Sequence, residues 1–167
     1  MKAALLGMIL FLILSGCNND RNKPTTLPSP DSLGINASLQ PDGDIDSLNF
    51  IKKWKGKTAR EVSMFDNPII QSRFLELLGP EEYALLKSNW MVQTPFEEES
   101  GIYSASGCKQ HDCPSYHVII YFDLANNNIN IALFKNKNFR MYSEKGEINL
   151  PPQMQKDIQT NKGNLKL

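Results

Sequence analysis

Histidine is scarce in this chain of 167 residues: only His111 and His117 are present. The sequence has no glycine-rich phosphate loop, no Gly-x-Ser-x-Gly elbow and no Cys-x-x-Cys redox pair, so the common phosphoryl-transfer, acyl-transfer and thioredoxin-like chemistries lack their residues. Charge of one sign is missing as well. Eighteen basic side chains face 18 acidic ones, and a nucleic-acid partner, which needs a basic patch, is not expected. There is no internal repeat, and nothing implies a cofactor. These absences point away from an enzyme.

What is present begins with the N-terminus. Lys2 precedes an apolar run from Ala3 to Leu14, then Leu14-Ser15-Gly16-Cys17. A basic start, an apolar core and small residues before a cut make a secretory signal. The last four residues match the lipobox of bacterial lipoproteins, in which the cysteine receives diacylglycerol and becomes the new N-terminus. An ordinary signal anchor or a buried helix is the plainer alternative, but the run is short of the roughly 20 apolar residues a spanning helix needs. The expectation is therefore a signal peptide at 1–16, lipid on Cys17 and attachment to a membrane of the cell envelope. Asn18 follows in place of the Asp associated with inner-membrane retention, which favours the outer membrane, facing the periplasm. Residues 17–45 are rich in Asn, Pro, Ser, Thr and Asp. They cannot bury enough surface to offset their ordering entropy and read as a tether. An edge strand over Ile35–Leu39 is the alternative there.

Residues 46–167 have the length of one domain. Thr58 and Glu61 have capping-box spacing ahead of Val62 and Phe65. Asn67-Pro68 starts a second helix, with Ile70, Phe74, Leu77 and Leu78 at helical spacing and Gly79 as its end. Pro80-Glu81-Glu82 opens a third, burying Tyr83, Leu86 and Trp90. The period then changes. Strands are expected at Met91–Phe96 (ended by the acidic run Glu97-Glu98-Glu99), Gly101–Ser106, Tyr116–Leu124, Ile129–Phe134 and Phe139–Ser143, with a last helix from Pro151-Pro152 through Ile158. The fold class is α+β: an antiparallel meander of about five strands flanked by helices, which cover one face of the sheet.

The chemistry concentrates between Cys108 and Cys113. These cysteines enclose Lys109, Gln110, His111 and Asp112, with Gly107 before and Pro114 after. Once lipid occupies Cys17, the other two remain as an even pair in an exported protein, where a disulfide persists. Cys108, His111, Cys113 and His117 also have the ligand types zinc prefers. Bridged sulfurs do not ligate as thiolates, so no metal is expected. His117 reads as a strand residue with an exposed polar tip. The plainest account of the loop is a staple, but a staple gives no reason to enclose Lys, Gln, His and Asp together.

Cys108-Lys109-Gln110-His111-Asp112-Cys113 resembles the signature Cys-Lys-Pro-His-Asp-Cys of the bacterial inhibitors of vertebrate lysozyme, the Ivy family. The resemblance runs from about Lys57 to Ile158. It includes Phe65-Asp66-Asn67-Pro68, Leu77-Leu78-Gly79, Trp90 to Pro95, Ile131-Ala132-Leu133 and Leu150-Pro151-Pro152. It implies an antiparallel sheet flanked by helices, a c-type lysozyme as partner and a tendency to dimerise. It also implies a loop that enters the lysozyme cleft. There His111 reaches the two catalytic carboxyl groups, Asp112 orients the loop or meets a cation at the rim, and Lys109 contacts the rim or the loop backbone. Gln110 departs from the family's proline and should leave the loop less preorganised. The competing reading is an envelope binding or assembly lipoprotein that keeps the fold without inhibiting.

Overall fold

A computed structural model of the chain describes residues 47–165. The signal segment 1–16, Cys17 and the whole of the tether 17–45 lie outside the described residues. Among the described residues no helix is long and apolar enough to cross a membrane.

The chain enters through a 3-10 helix, Leu48–Trp54, capped by the Ser47 hydroxyl and burying Leu48, Ile51 and Trp54. The Thr58–Glu61 box forms as expected: the Glu61 carboxylate accepts from the Thr58 amide at 2.7 Å and from its hydroxyl at 2.8 Å. It does not start a helix of any length. One turn follows, then Ser63 takes φ +50°, and a short 3-10 segment Met64–Asp66 leads into the next cap. The left-handed backbone at Ser63 ends the turn, since a helix cannot continue through that conformation.

Helix α1 spans Pro68–Asn89. Asn67 caps it, its side-chain oxygen accepting from the amides of Ile69 and Ile70 at 3.1 and 3.2 Å. The two helices expected here are present, joined with no linker at Gly79, whose φ of 76° and ψ of 164° break the helical path immediately before Pro80. A residue with a Cβ is strained at that φ, so glycine is needed.

The strands are β1 (Val92–Gln93), β2 (Glu97–Glu99), β3 (Ile102–Cys108), β4 (Tyr116–Asp123), β5 (Asn128–Lys135) and β6 (Asn138–Ser143), and helix α2 spans Pro152–Asn164. They form one antiparallel sheet in the order β1-β3-β4-β5-β6, with β2 also on the outer edge of β3. Of the expected strand at Met91–Phe96 only β1 forms, and a second short edge strand, β2, lies beyond it. Pro95, which cannot donate to a ladder, lies between them. The acidic run does not end a strand but is one. Charged residues suit an edge, because they oppose further pairing.

Helices do not cover a single face as the sequence suggested. Val118, Ile120 and Phe122 of β4 face one way, opposite Leu133, Ile131 and Ile129, into a core shared with Ile70, Phe74, Tyr83 and Leu86 of α1. Ile119 and Tyr121 face the other way with Ala132 and Phe134, and Met154 and Ile158 of α2 cover them. The unbroken apolar run of β4 is the signature of a strand buried on both faces.

Two asparagines of β5 hold the connection to α2. The Asn130 side chain is 2 % exposed. It donates to the carbonyls of Ile129 at 2.9 Å and Gly146 at 3.0 Å and accepts from the Ile148 amide at 2.7 Å. Asn128 donates to the same Gly146 carbonyl at 3.0 Å and accepts from the Lys145 amide at 3.0 Å. Asn130→Ala leaves the buried Ile148 amide without its partner and takes one of two donors from each of the Ile129 and Gly146 carbonyls. It is expected to lower unfolding stability by about 1–3 kcal/mol, measured by urea denaturation; an unchanged midpoint would show that the 144–148 segment is held by other contacts.

Candidate functional site

The β3–β4 hairpin ends in the loop between the cysteines. Cys108 opposes His117 in the last rung of the ladder, and the Lys109 amide adds one more bond, to the Tyr116 carbonyl at 3.1 Å. Two tight turns follow end to end. The Asp112 amide donates to the Lys109 carbonyl at 3.1 Å, and the Ser115 amide to the Asp112 carbonyl at 3.1 Å. Cys108 and Cys113 are disulfide-bonded with their Cα atoms 4.9 Å apart. Cross-linking so short a loop contributes roughly 2 kcal/mol in the chain-entropy picture.

His111 occupies the third position of the first turn with φ +62°, where a turn of type II needs a positive φ. Histidine tolerates this region better than most residues. Gln110 occupies the second position, where proline is favoured because its ring presets φ. The family's usual proline and this chain's glutamine thus occupy a position where the backbone asks for one fixed angle.

Lys109, Gln110 and His111 are exposed, while Asp112 and Cys113 are half-buried. The His111 imidazole has no hydrogen-bond partner among the described residues. Asp112, in contrast, is engaged within the loop. Its carboxylate accepts from the Lys109 ammonium at 3.0 Å. Ser115 first, and Lys109 after it, hold the Asp112 carboxyl below its ordinary value. An exposed pair of this kind adds little stability, and its effect is on the shape of the turn.

The base of the loop is rigid. Cys108 is 7 % exposed and lies between two strands, because its carbonyl accepts from the Met91 amide at 3.1 Å on the β1 side. Beside it, the Trp90 ring lies against the bare backbone of Gly107. A Cβ at Gly107 would come within 2.2 Å of the indole. Trp90 is 5 % exposed and meets Phe65 edge-on at 5.6 Å. Helix α1, strand β3 and the loop are thereby locked to one another. Glu82 of α1 adds a polar link, accepting from the Tyr116 hydroxyl at 3.2 Å and the Lys135 ammonium at 2.8 Å. In the sequence Glu82 is one of two acidic residues that open the helix after Pro80. Its sheet contacts depend on a register that one sequence does not reveal.

Of the four possible zinc ligands, Cys108 and Cys113 are bonded to each other. Among the described residues no group of three or more His, Cys, Asp or Glu side chains is arranged to hold a metal ion. His117 is not the exposed strand tip that its sequence suggested. It is half-buried, its ring stacked on Phe134 at 5.7 Å. It lines a cavity of about 510 Å³ with Cys108, Cys113, Pro114 and Phe134, next to the end of α2. The cause is α2, which runs past Ile158 to Asn164 and brings Asn161 and Leu165 over this part of the sheet.

Burial pushes the His117 imidazole below the ordinary histidine value, with Asn161 opposing in part. The unfolded chain takes up a proton at about pH 6.5, and the folded ring resists it. Between the two values the unfolded state binds more protons, so stability falls as the pH drops below about 6.5. Denaturant midpoints between pH 7.5 and 5 are expected to decline more steeply for the wild type than for His117→Gln. Equal slopes would show that another group carries the dependence.

No curated protein and no solved structure compared with the chain gives a match. The sequence model of one family, described as inhibitor of vertebrate lysozyme (Ivy), matches residues 69–164. That span takes in α1, the whole sheet, the disulfide loop and α2, so the resemblance noted in the loop extends over the fold that carries it, and the chain belongs to the Ivy family.

Proposed function

We propose that this protein inhibits lysozyme by inserting the Cys108–Cys113 loop into the active-site cleft, with His111 as the residue that enters. The observation that carries this reading is the exposed imidazole without an internal partner, raised on a turn whose base is fixed by a disulfide, a strand ladder and the Trp90–Gly107 contact. Lysozyme needs one carboxylic acid protonated in an apolar pocket and one carboxylate ionised nearby. A neutral imidazole donates from one nitrogen and accepts at the other. Set between the two groups, it satisfies both and occupies space the sugar requires. Lys109 and Asp112 hold the turn that aims it. The protein acts as an inhibitor and not as an enzyme.

The same reading gives the N-terminal segment its purpose. Lipid on Cys17 anchors the domain to the outer membrane on the periplasmic side, and the 17–45 tether lets it meet lysozyme that has reached the peptidoglycan. Mass spectrometry of the mature N-terminus is expected to find a diacylated cysteine; an unmodified Cys17 on a soluble product would refute the anchor.

Inhibition of cell-wall lysis by the purified domain 46–167, measured with several lysozymes alongside circular dichroism, tests the mechanism. His111→Ala is expected to stay folded and to lose about 1.5–3 kcal/mol of binding, roughly one to two powers of ten in affinity. Gln110→Pro is expected to tighten binding by about 0.4–1 kcal/mol through a less flexible free loop. A folded His111→Ala that inhibits as well as the wild type would reject the assignment. A folded wild type that inhibits no lysozyme would favour the envelope binding or assembly reading.

A further inference from the structure

The β5–β6 turn stands beside the His111 loop. Two residues, Asn136 and Lys137, connect the paired Lys135 and Asn138. Both have positive φ, 51° and 64°. A two-residue hairpin turn of this kind favours Asn followed by Gly. Asn136 fits that preference and Lys137 does not, since a lysine in the left-handed region is strained where glycine would not be. Strain of this sort tends to be kept at binding surfaces.

The turn is joined to the loop, because the Asn136 amide donates to the Ser115 carbonyl at 3.0 Å. Lys137 is exposed and borders the same cavity as Cys113 and Pro114. The neighbouring cations are engaged: Lys109 with Asp112, Lys135 with Glu82, and Lys162 over the Phe139 ring at 4.0 Å. Lys137 makes no ion pair or hydrogen bond with any described residue.

We propose that Lys137 is a second contact of the inhibitory surface, which meets a carboxylate on the rim of the lysozyme cleft while His111 enters it, and that it favours lysozymes acidic at that point. This rests on the inhibitor reading above. A charge at a rim acts mainly on the association rate and its salt dependence, because exposed charges are screened within about 10 Å at 0.1 M salt.

The test uses the full chain and a vertebrate c-type lysozyme, with association rates, inhibition and melting temperature measured for wild type, His111→Ala, Lys137→Gly, Lys137→Arg and Lys137→Glu. Lys137→Gly removes the cation and the strain together. It is expected to melt at the same temperature or higher, yet to bind about three- to fivefold more weakly at low salt, with a flatter salt dependence. Lys137→Arg should stay within about twofold of wild type, and Lys137→Glu should be weaker than Lys137→Gly. A Lys137→Gly that associates like wild type at every salt concentration overturns the Lys137 contact while leaving His111 in place. A wild type that does not inhibit overturns the inhibitor reading and the Lys137 contact with it.

Discussion

Strands β4 and β5 are apolar on both faces, and the rest of the fold answers that constraint. A sheet with a single covered face would leave either Val118, Ile120 and Phe122 or Ile119, Tyr121 and Phe134 against water. Burial of each such side chain is worth about 1.5–3 kcal/mol, so neither set can be left uncovered. Helix α1 and the 3-10 helix at Leu48–Trp54 cover one face, and α2 covers the other. Several polar groups that reach this interior are matched, while the Trp90 indole nitrogen and the Tyr121 hydroxyl have no hydrogen-bond partner among the described residues. Asn128 and Asn130 serve the segment leading to α2, and Arg73 of α1 is paired with Glu144 and the Asn127 carbonyl. Both clusters secure the far end of the β5–β6 hairpin and leave the opposite end of the sheet for the loop.

The parts of this arrangement that depend on neighbours in sequence were legible. Asn67-Pro68, Gly79-Pro80 and the strand from Tyr116 act through caps, breaks and β-branched residues, and each is where its local chemistry puts it. The parts that depend on distant residues were not. The Thr58–Glu61 box is a local signal that forms and then fails to propagate, because the backbone turns left-handed at Ser63. The triplet Glu97–Glu99 has poor strand propensity and becomes a strand only because β3 provides a ladder. The two-sided burial of β4 was written in its run Val118 to Phe122, which lacks the polar alternation of a half-covered strand. His117 lies on the side of β4 that a full-length α2 covers, and a helix stopped at Ile158 left it seemingly exposed.

In the candidate site the identities of the residues could be read, but their support could not. Lys109, Gln110, His111 and Asp112 stand out between two cysteines in any reading of the chain. What fixes them comes from elsewhere: Met91 on one side of Cys108, Tyr116 on the other, and the indole of Trp90 against Gly107. The energies explain why one device is insufficient. Ordering the four enclosed residues costs about 1–2 kcal/mol each in backbone entropy, and the disulfide offsets roughly 2 kcal/mol. The turn bonds and the tie from Asn136 to Ser115 add further small contributions.

Because the enclosed loop takes its support from its two ends, its interior is separable from the domain. Cys108 ends a ladder and Cys113 is bound back to it, and none of the four residues between them belongs to the buried core. Surface loops raised on a rigid scaffold tolerate changes that the scaffold itself does not. The hairpin therefore acts as a socket: the enclosed residues can be exchanged, provided that position 111 tolerates a positive φ, without the sheet having to find a new way to fold. Under the insertion proposed above, a change of target has a short and structurally inexpensive path in this protein.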